Sequence, residues 1–255
     1  MTELLVSTTT TYGLTKEGSL IPDGALLLSV QTLDILYEDE ALIAINKPRG
    51  ILVHRGKATS RTEPALLQMV RDTIGQRVFA VHRLDRPTSG VLLFAKEAQT
   101  AAWMSQQFQK KLAQKTYEAI VRGWPETQTI SYPLKKLDKV GSQESSTGLT
   151  ILGRVSLDLP CDRYPQSRYS WLELKPETGR RHQLRRHLKH IHHPIIGDTV
   201  YGHGVHNSLF RDRLGCPRLL LHHRELLVTH PDLRPLTIKA PHDEAFRKIL
   251  DLFNV

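Results

Sequence analysis

The segment Ala80–Gly90, AVHRLDRPTSG, sets one carboxylate, Asp85, between Arg83 and Arg86 in a tight polar turn between two apolar runs. Asp, Pro, Thr, Ser and Gly are also the residues that turns use for local hydrogen bonds and special backbone angles, so a purely structural role explains the composition equally well. The chemical reading starts from charge. Arginine stays protonated, so a carboxylate held among arginines stays ionised and is available as a nucleophile or charge stabiliser.

A second chemically dense stretch is GRRHQLRRHLKHIHH, residues 179–193, with five Lys or Arg, five His and no acid. Its spacing predicts a helix over about 180–191. On such a helix Leu184, Leu188 and Ile191 form an apolar stripe, and Arg181, Arg185 and Lys189 recur at intervals of four on another face. A solvated face normally mixes Glu among its cations, so the one-sided charge favours contact with phosphates over a merely soluble surface. The histidines also invite a metal reading. His182 and His187, five apart, do not share a helical face, the neighbouring arginines would repel a cation, and no HExxH pattern occurs, so no metal site is expected.

The whole chain is basic: 35 Lys plus Arg against 26 Asp plus Glu in 255 residues, a net charge of +9. That balance favours a polyanionic partner, nucleic acid above all. Cys161 and Cys216 are the two cysteines, with no CxxC spacing, which fits a reducing cytosol rather than a disulfide framework. The N-terminal stretch lacks the basic start and apolar core of a signal peptide, and no apolar run approaches a bilayer span, so a soluble cytoplasmic protein without a membrane partner is expected.

The elements that must position these residues follow from pattern. Residues 1–32, rich in Thr, Gly and Ser, read as an N-terminal extension whose role is not legible. LDILYEDEALIAINKPRG reads as two strands across the turn Glu38-Asp39-Glu40. TEPALLQMVRDTIG suits a helix capped by Thr62, with Pro64 near its start and Gly75 at its end. GVLLFAK is a short apolar strand. A helix over about 97–112 would then bury Ala101, Met104, Phe108 and Leu112, with Lys110 and Lys111 at its dipole-favoured end. KTYEAIVRG alternates, placing Tyr117, Ala119 and Val121 on one strand face and Thr116, Glu118 and Ile120 on the other. Residues 138–148 read as a polar loop, and SWLELK, RLLLHH and ELLVTH as further strands. Strands and helices alternate poorly, which argues for mixed α+β architecture rather than a βαβ repeat.

KPRGILVH (47–54), HRLDRPTSG (82–90), KTYEAIVRG (115–123), LKPETGRRHQLRRH (174–187), HPIIGDTVYG (193–202) and RLLLHHREL (218–226) resemble, in this order, the motifs of the RluA family of pseudouridine synthases. The resemblance extends over about residues 33–240. It implies the fold of that family, a central, mainly antiparallel sheet with flanking helices and a cleft floored by Asp85, in one catalytic domain over 33–255. The family often carries an N-terminal S4-type RNA-binding domain, for which about 32 residues are too few.

The resemblance also assigns roles. Asp85 matches the essential catalytic aspartate, Arg185 the basic residue paired with it, and Tyr117 the tyrosine that stacks on the target base and takes part in removing the C5 proton. Arg83 matches an arginine that fills the gap left by a flipped uridine, and Leu184 an apolar position of the base pocket, although plain helix core explains Leu184 almost as well. Arg181 and Lys189, on the basic helix, are expected to grip RNA. The implied reaction breaks the N1–C1′ bond, turns the base and joins C5 to C1′; it is redox-neutral, so no cofactor is expected. VRDTIGQ and RYPQSRY, outside the general motifs, look like the members of the family that modify position 65 in the T-stem of tRNA. A ribosomal RNA site, a non-catalytic RNA-binding protein and a metal-dependent nuclease or deaminase are the alternatives. No protein partner is implied.

Overall fold

The computed structural model describes residues 33–56, 64–137 and 140–254. The extension over 1–32 and the proposed Thr62 cap lie outside the described residues. Strands β1 (Ile35–Glu38) and β2 (Leu42–Lys47) form the expected pair, closed where the Asp39 carboxylate accepts the N–H groups of Ala41 and Leu42. Helix α1 (Leu66–Ile74) ends, as expected, at Gly75 with φ +69°. After the two-residue β3 (Phe79–Ala80) and the turn carrying Asp85 comes β4 (Ser89–Ala95), buried along its whole length. Its residues alternate between two cores: Val91, Leu93 and Ala95 pack with Met104, while Leu92 and Phe94 pack with Leu66 and Val70 of α1.

Helix α2 (Ala98–Gln109) is shorter than its pattern suggested. Lys111 turns left-handed at φ 59° and ends the apolar face at Phe108, leaving Leu112 61 % exposed rather than buried. Strand β5 (Gln114–Arg122) keeps the predicted alternation, with Ala119 and Val121 in one core and Ile120 in another. Beyond it the chain is more strand-rich than its polarity suggested. Strands β6 (Gln128–Ser131), β7 (Leu134–Lys135), β8 (Ser142–Gln143), β9 (Ser146–Leu157) and β10 (Ser167–Pro176) follow. The stretch 138–148 is thus not wholly a loop: Ser142 and Gln143 pair with β7, and β9 begins at Ser146. Ser146, Thr147 and Gly148 pair with β6, and Thr147 and Gly148 with β10 on the other side, which composition alone cannot reveal.

Helices α3 (Gln183–His190) and α4 (Gly204–Asp212), strands β11 (Leu221–Thr229) and β12 (Pro235–Lys239), and helix α5 (Glu244–Leu250) complete the fold. RLLLHH and ELLVTH are not separate strands. They belong to β11, which shifts register between His223 and Glu225 where it pairs with β5. Among the described residues the main sheet has ten strands, with path β1-β2-β4-β11-β5-β10-β9-β6 and with β12 and β3 attached to β11 and β4. Its one parallel contact, β11 with β4, covers only His222–Ser89 and His223–Gly90, so the mainly antiparallel expectation holds.

That short parallel contact lies beside the turn of Asp85 and admits only glycine at its centre. Gly90 has φ +111°, and a β-carbon there would stand 2.2 Å from the carbonyl oxygen of His223, which is held in two ladders at once. Gly90→Ala is therefore expected to destabilise the protein by about 3 kcal/mol or more, because the clash is with sheet backbone that cannot move aside. Thermal unfolding checks this: the expected drop in Tm is roughly 6 °C or more, and a Tm within about 1 °C of the parent would contradict it.

Candidate active site

Three chain segments meet at the middle of the sheet. His223 on β11 pairs in register with Gly90 at the start of β4 on one side and with Tyr117 of β5 on the other. Its ring stacks on Tyr117 at 4.3 Å between centroids and stands edge-on to His82 at 5.7 Å. His82 in turn stacks on Phe108. Burial pulls both imidazoles down to about 3, with Lys115 adding to the effect on His82, and His82 to that on His223. Both rings are neutral at pH 7. His82 Nε2 accepts the N–H of Leu93, and His223 Nδ1 donates to the carbonyl of Val91. His82, and Tyr117 backed by His223, thus form an uncharged floor rather than an acid–base pair.

Over this floor opens a cleft of about 580 Å³, a size suited to a nucleotide-sized group. Its lining includes Arg83, Asp85, Tyr117, Arg181, Leu184 and Arg185. The structure therefore brings together six of the seven residues singled out from the sequence. Lys189 is exposed on α3 and does not line the cleft. Cations outnumber acids on the walls: Arg83, Lys111, Lys115, Arg180, Arg181 and Arg185 face Asp85 and Glu177.

The basic helix differs from its pattern in a way that changes what its arginines can do. It begins at Gln183, so Arg181 precedes it, and Arg181, Arg185 and Lys189 do not form one exposed stripe. Leu184 and Leu188 pack into the core as expected. Gln183 and His187, one turn apart, pin the helix to the sheet: Gln183 Nε2 donates to Ser146 O and Thr147 Oγ1, and the His187 ring contacts Ser145 Oγ, Thr147 Oγ1 and Tyr132 O. Arg185 is only 4 % exposed and cannot bind a phosphate backbone.

Arg185 instead joins two carboxylates. Its Nε and Nη2 grip Asp198 at 2.7 and 2.9 Å, and its Nη1 donates to Asp85 Oδ2 at 3.2 Å. The side chain of Asp85 is one-fifth exposed, opening on the cleft. Burial works against the guanidinium charge, but the two carboxylates outweigh it and raise the Arg185 pKa. For Asp198, burial pushes upward and is overcome by Arg185 and by the N–H groups of Tyr201 and Val200, so its carboxyl lies below the usual range. The turn bearing Asp198 is itself tied down, for Asn207 of α4 accepts the N–H of Gly197 and donates to Asp198 O.

Lys47, assigned no role from the sequence, shapes the other side. Its fully buried ammonium donates to the carbonyls of Pro48, Arg86 and Thr88 at 2.8–3.0 Å, closing the turn that carries Asp85. Burial pulls its pKa down to about 7 against the attraction of Asp85. The Lys-Pro pair was the visible signal; its three carbonyl partners were not. Tyr117 is held protonated, its pKa raised first by burial and then by Asp85.

Breaking the Arg185 pair should be costly, since it strands a buried charge. Asp198→Asn is expected to lower stability by about 3 kcal/mol at pH 7. Because the folded-state pKa of Asp198 is depressed, its contribution is present above the unfolded value near 3.8 and is lost as pH falls through the folded value. The stability difference between parent and Asp198→Asn, followed by denaturant titration, should thus shrink below about pH 4. A constant difference down to pH 2 would contradict the assignment.

Comparison with known proteins agrees with this geometry. The sequence profile of the RNA pseudouridylate synthase family matches residues 41–190, more than half of the chain. The tRNA pseudouridine synthase C of Vibrio cholerae serotype O1 is 45 % identical over 233 residues, covering 87 % of this chain and 96 % of that protein. Its namesake in Haemophilus influenzae is also 45 % identical, over 87 % of this chain and 98 % of its own. Two solved structures share the fold at 24 % identity. Human RNA pseudouridylate synthase domain containing 1 has a TM-score of 0.67, covering 84 % of this chain and 85 % of that one. Human RNA pseudouridylate synthase domain containing 4 has a TM-score of 0.66, with coverages of 86 % and 92 %. A cleft built on Asp85, Tyr117 and Arg185 and a family match that spans all three thus lead to one assignment: the chain belongs to the RNA pseudouridylate synthase family, of the RluA type.

Proposed function

We propose that this protein converts uridine to pseudouridine in tRNA, at position 65 of the T-stem, with Asp85 as the residue that acts on the nucleoside. The observation that carries the reading is the placement of Asp85. Its Oδ2 is bound by a buried arginine that is itself clamped by Asp198, while the carboxylate opens on a cation-lined cleft beside Tyr117. The tRNA substrate is supported by the relatives named tRNA pseudouridine synthase C at about 45 % identity.

The reaction breaks the bond from N1 of uracil to C1′ of ribose, turns the base, joins C5 to C1′, releases the proton from C5 and leaves N1 carrying a proton in its place. Atoms and electrons balance, so no redox partner enters. The Asp85 carboxylate serves either as nucleophile toward the nucleoside or as base for an elimination, and Arg185 fixes the position of its Oδ2 in both routes. Tyr117, stacked on His223 and held neutral, offers the base a ring and an undissociated hydroxyl. Leu184 supplies an apolar wall.

A paired uridine must leave its helix before Asp85 can reach it, at a cost of a few kcal/mol. Exposed Arg83 beside the cleft is placed to offset that cost by filling the vacancy. Arg181 and Lys189, also exposed, supply the long-range grip. The division is physical: Arg185 is buried and fixes Asp85, whereas the exposed cations meet phosphates.

Asp85→Asn keeps the shape and deletes the charge. It should abolish isomerisation of an unmodified transcript bearing U65 while RNA binding stays within about twofold of the parent. Carbodiimide mapping at nucleotide resolution reads the product; turnover near the parent rate would remove Asp85 from the mechanism. An enzyme that leaves U65 untouched and modifies a ribosomal RNA fragment would overturn the tRNA assignment alone.

Lys189→Ala and Arg181→Ala should each flatten the slope of log K against log salt by about 0.7 to 0.9 if each side chain neutralises one phosphate. Unchanged slopes in both would place the RNA path elsewhere.

A further inference from the structure

His182 stands at the N-terminus of α3 with left-handed backbone angles, φ 56° and ψ 29°. Side chains with a β-carbon rarely adopt this conformation, and where they do it often serves a site. Here it leaves the imidazole lining the cleft between two groups. Nδ1 lies 3.0 Å from the hydroxyl of Tyr201, and Nε2 lies 3.8 Å from Oδ1 of Asp85. Arg185 holds the other oxygen, Oδ2.

The protons can be placed by elimination. Burial holds the His182 pKa below the ordinary histidine value; Asp85 and Asp198 act against this, and Arg185 and Arg181 act with it. The neutral ring has a single N–H. A bare Nε2 lone pair facing a carboxylate would be repulsive, so the favoured tautomer carries its proton on Nε2 and accepts the Tyr201 hydroxyl at Nδ1. Tyr201 is well anchored for this task. Its N–H donates to Asp198, and its ring lies 5.1 Å from the Arg185 guanidinium. One tyrosine therefore touches both groups that flank Asp85.

We propose that His182, oriented by Tyr201, is a positioning residue for Asp85: its Nε2–H closes on Oδ1 when RNA enters the cleft, so that the carboxylate is held at both oxygens. The present 3.8 Å is too long for a hydrogen bond, but a shift of about 1 Å closes it, and such contacts commonly tighten only in the substrate complex. The inference rests on the reading of Asp85 as the reacting group.

Single-turnover rates at saturating tRNA transcript, measured beside RNA dissociation constants, test it. His182→Ala is expected to slow the step by about tenfold to a hundredfold with Kd changed by less than about twofold, as expected for loss of one hydrogen bond to a charged group. His182→Gln, which can still donate, should recover part of the rate. Tyr201→Phe removes only a hydroxyl and keeps the ring against Arg185. It should slow the parent by about threefold or more yet have no further effect in a His182→Ala background. A His182→Ala rate within about twofold of the parent, a loss confined to Kd, or fully additive effects would overturn the proposal. Asp85→Asn run in parallel separates the two levels. Parent-like turnover there overturns the underlying reading, whereas an inactive Asp85→Asn beside an unaffected His182→Ala overturns this inference alone.

Discussion

One buried guanidinium organises this protein's catalytic side. Arg185 sits where water cannot screen its charge, and an unpaired cation there would be prohibitive. Two carboxylates remove the penalty: Asp198, thirteen residues on, and Asp85, a hundred residues back. Helix α3, the turn after it and the turn before β4 are consequently conditions for one another. Asp198 must be presented by Gly197, Val200, Tyr201 and Asn207 for Arg185 to be neutralised, and Arg185 must be in place for the Asp85 carboxylate to be held at the edge of the cleft.

The sheet meets this constraint from below. Glycine at 90 lets β4 approach the backbone of β11, and the pairing of β11 with β5 on its other side places the ring of His223 against Tyr117. Burial keeps His223 and His82 uncharged, so the wall formed by His82 and by Tyr117, backed by His223, suits a flat, neutral base. Lys47 and the Arg218–Ser89–His222 contacts secure the end of the Asp85 turn that leads into β4. Asp85 is thereby held at the edge of the cleft in a turn fixed by buried donors.

Positive charge is divided by depth. The outermost cations, Arg83, Arg181 and Lys189, are exposed, and a phosphate contact at such depth is worth a modest, salt-dependent amount. Buried Arg185 is out of reach of a phosphate backbone and instead joins Asp198 to Asp85. Reading the acid-free run at 179–193 as one phosphate-binding face merged these two populations, because helical spacing alone does not say which side of a helix is covered.

The chain's own pattern was enough to reveal a basic, mixed α+β protein. The alternation of KTYEAIVRG, the apolar run after Asp85 and the stripe of Leu184 and Leu188 are local periodicities, and each survives in the fold. Ordered motifs likewise marked Asp85, Tyr117 and Arg185 before their geometry was known. Local pattern failed where long-range contacts supplied the stabilising interactions. The polar start of β9 reads as loop although its neighbours β6 and β10 pair with it, and β11 reads as two runs although it is one strand with a register shift. The roles of Lys47, His82, His223, Asp198, Tyr201 and His182 were decided by tertiary structure alone. Burial sets which histidines stay neutral, and a guanidinium's partners come from turns far apart in the chain, so residue type and spacing could nominate the reactive carboxylate but not the groups that hold it.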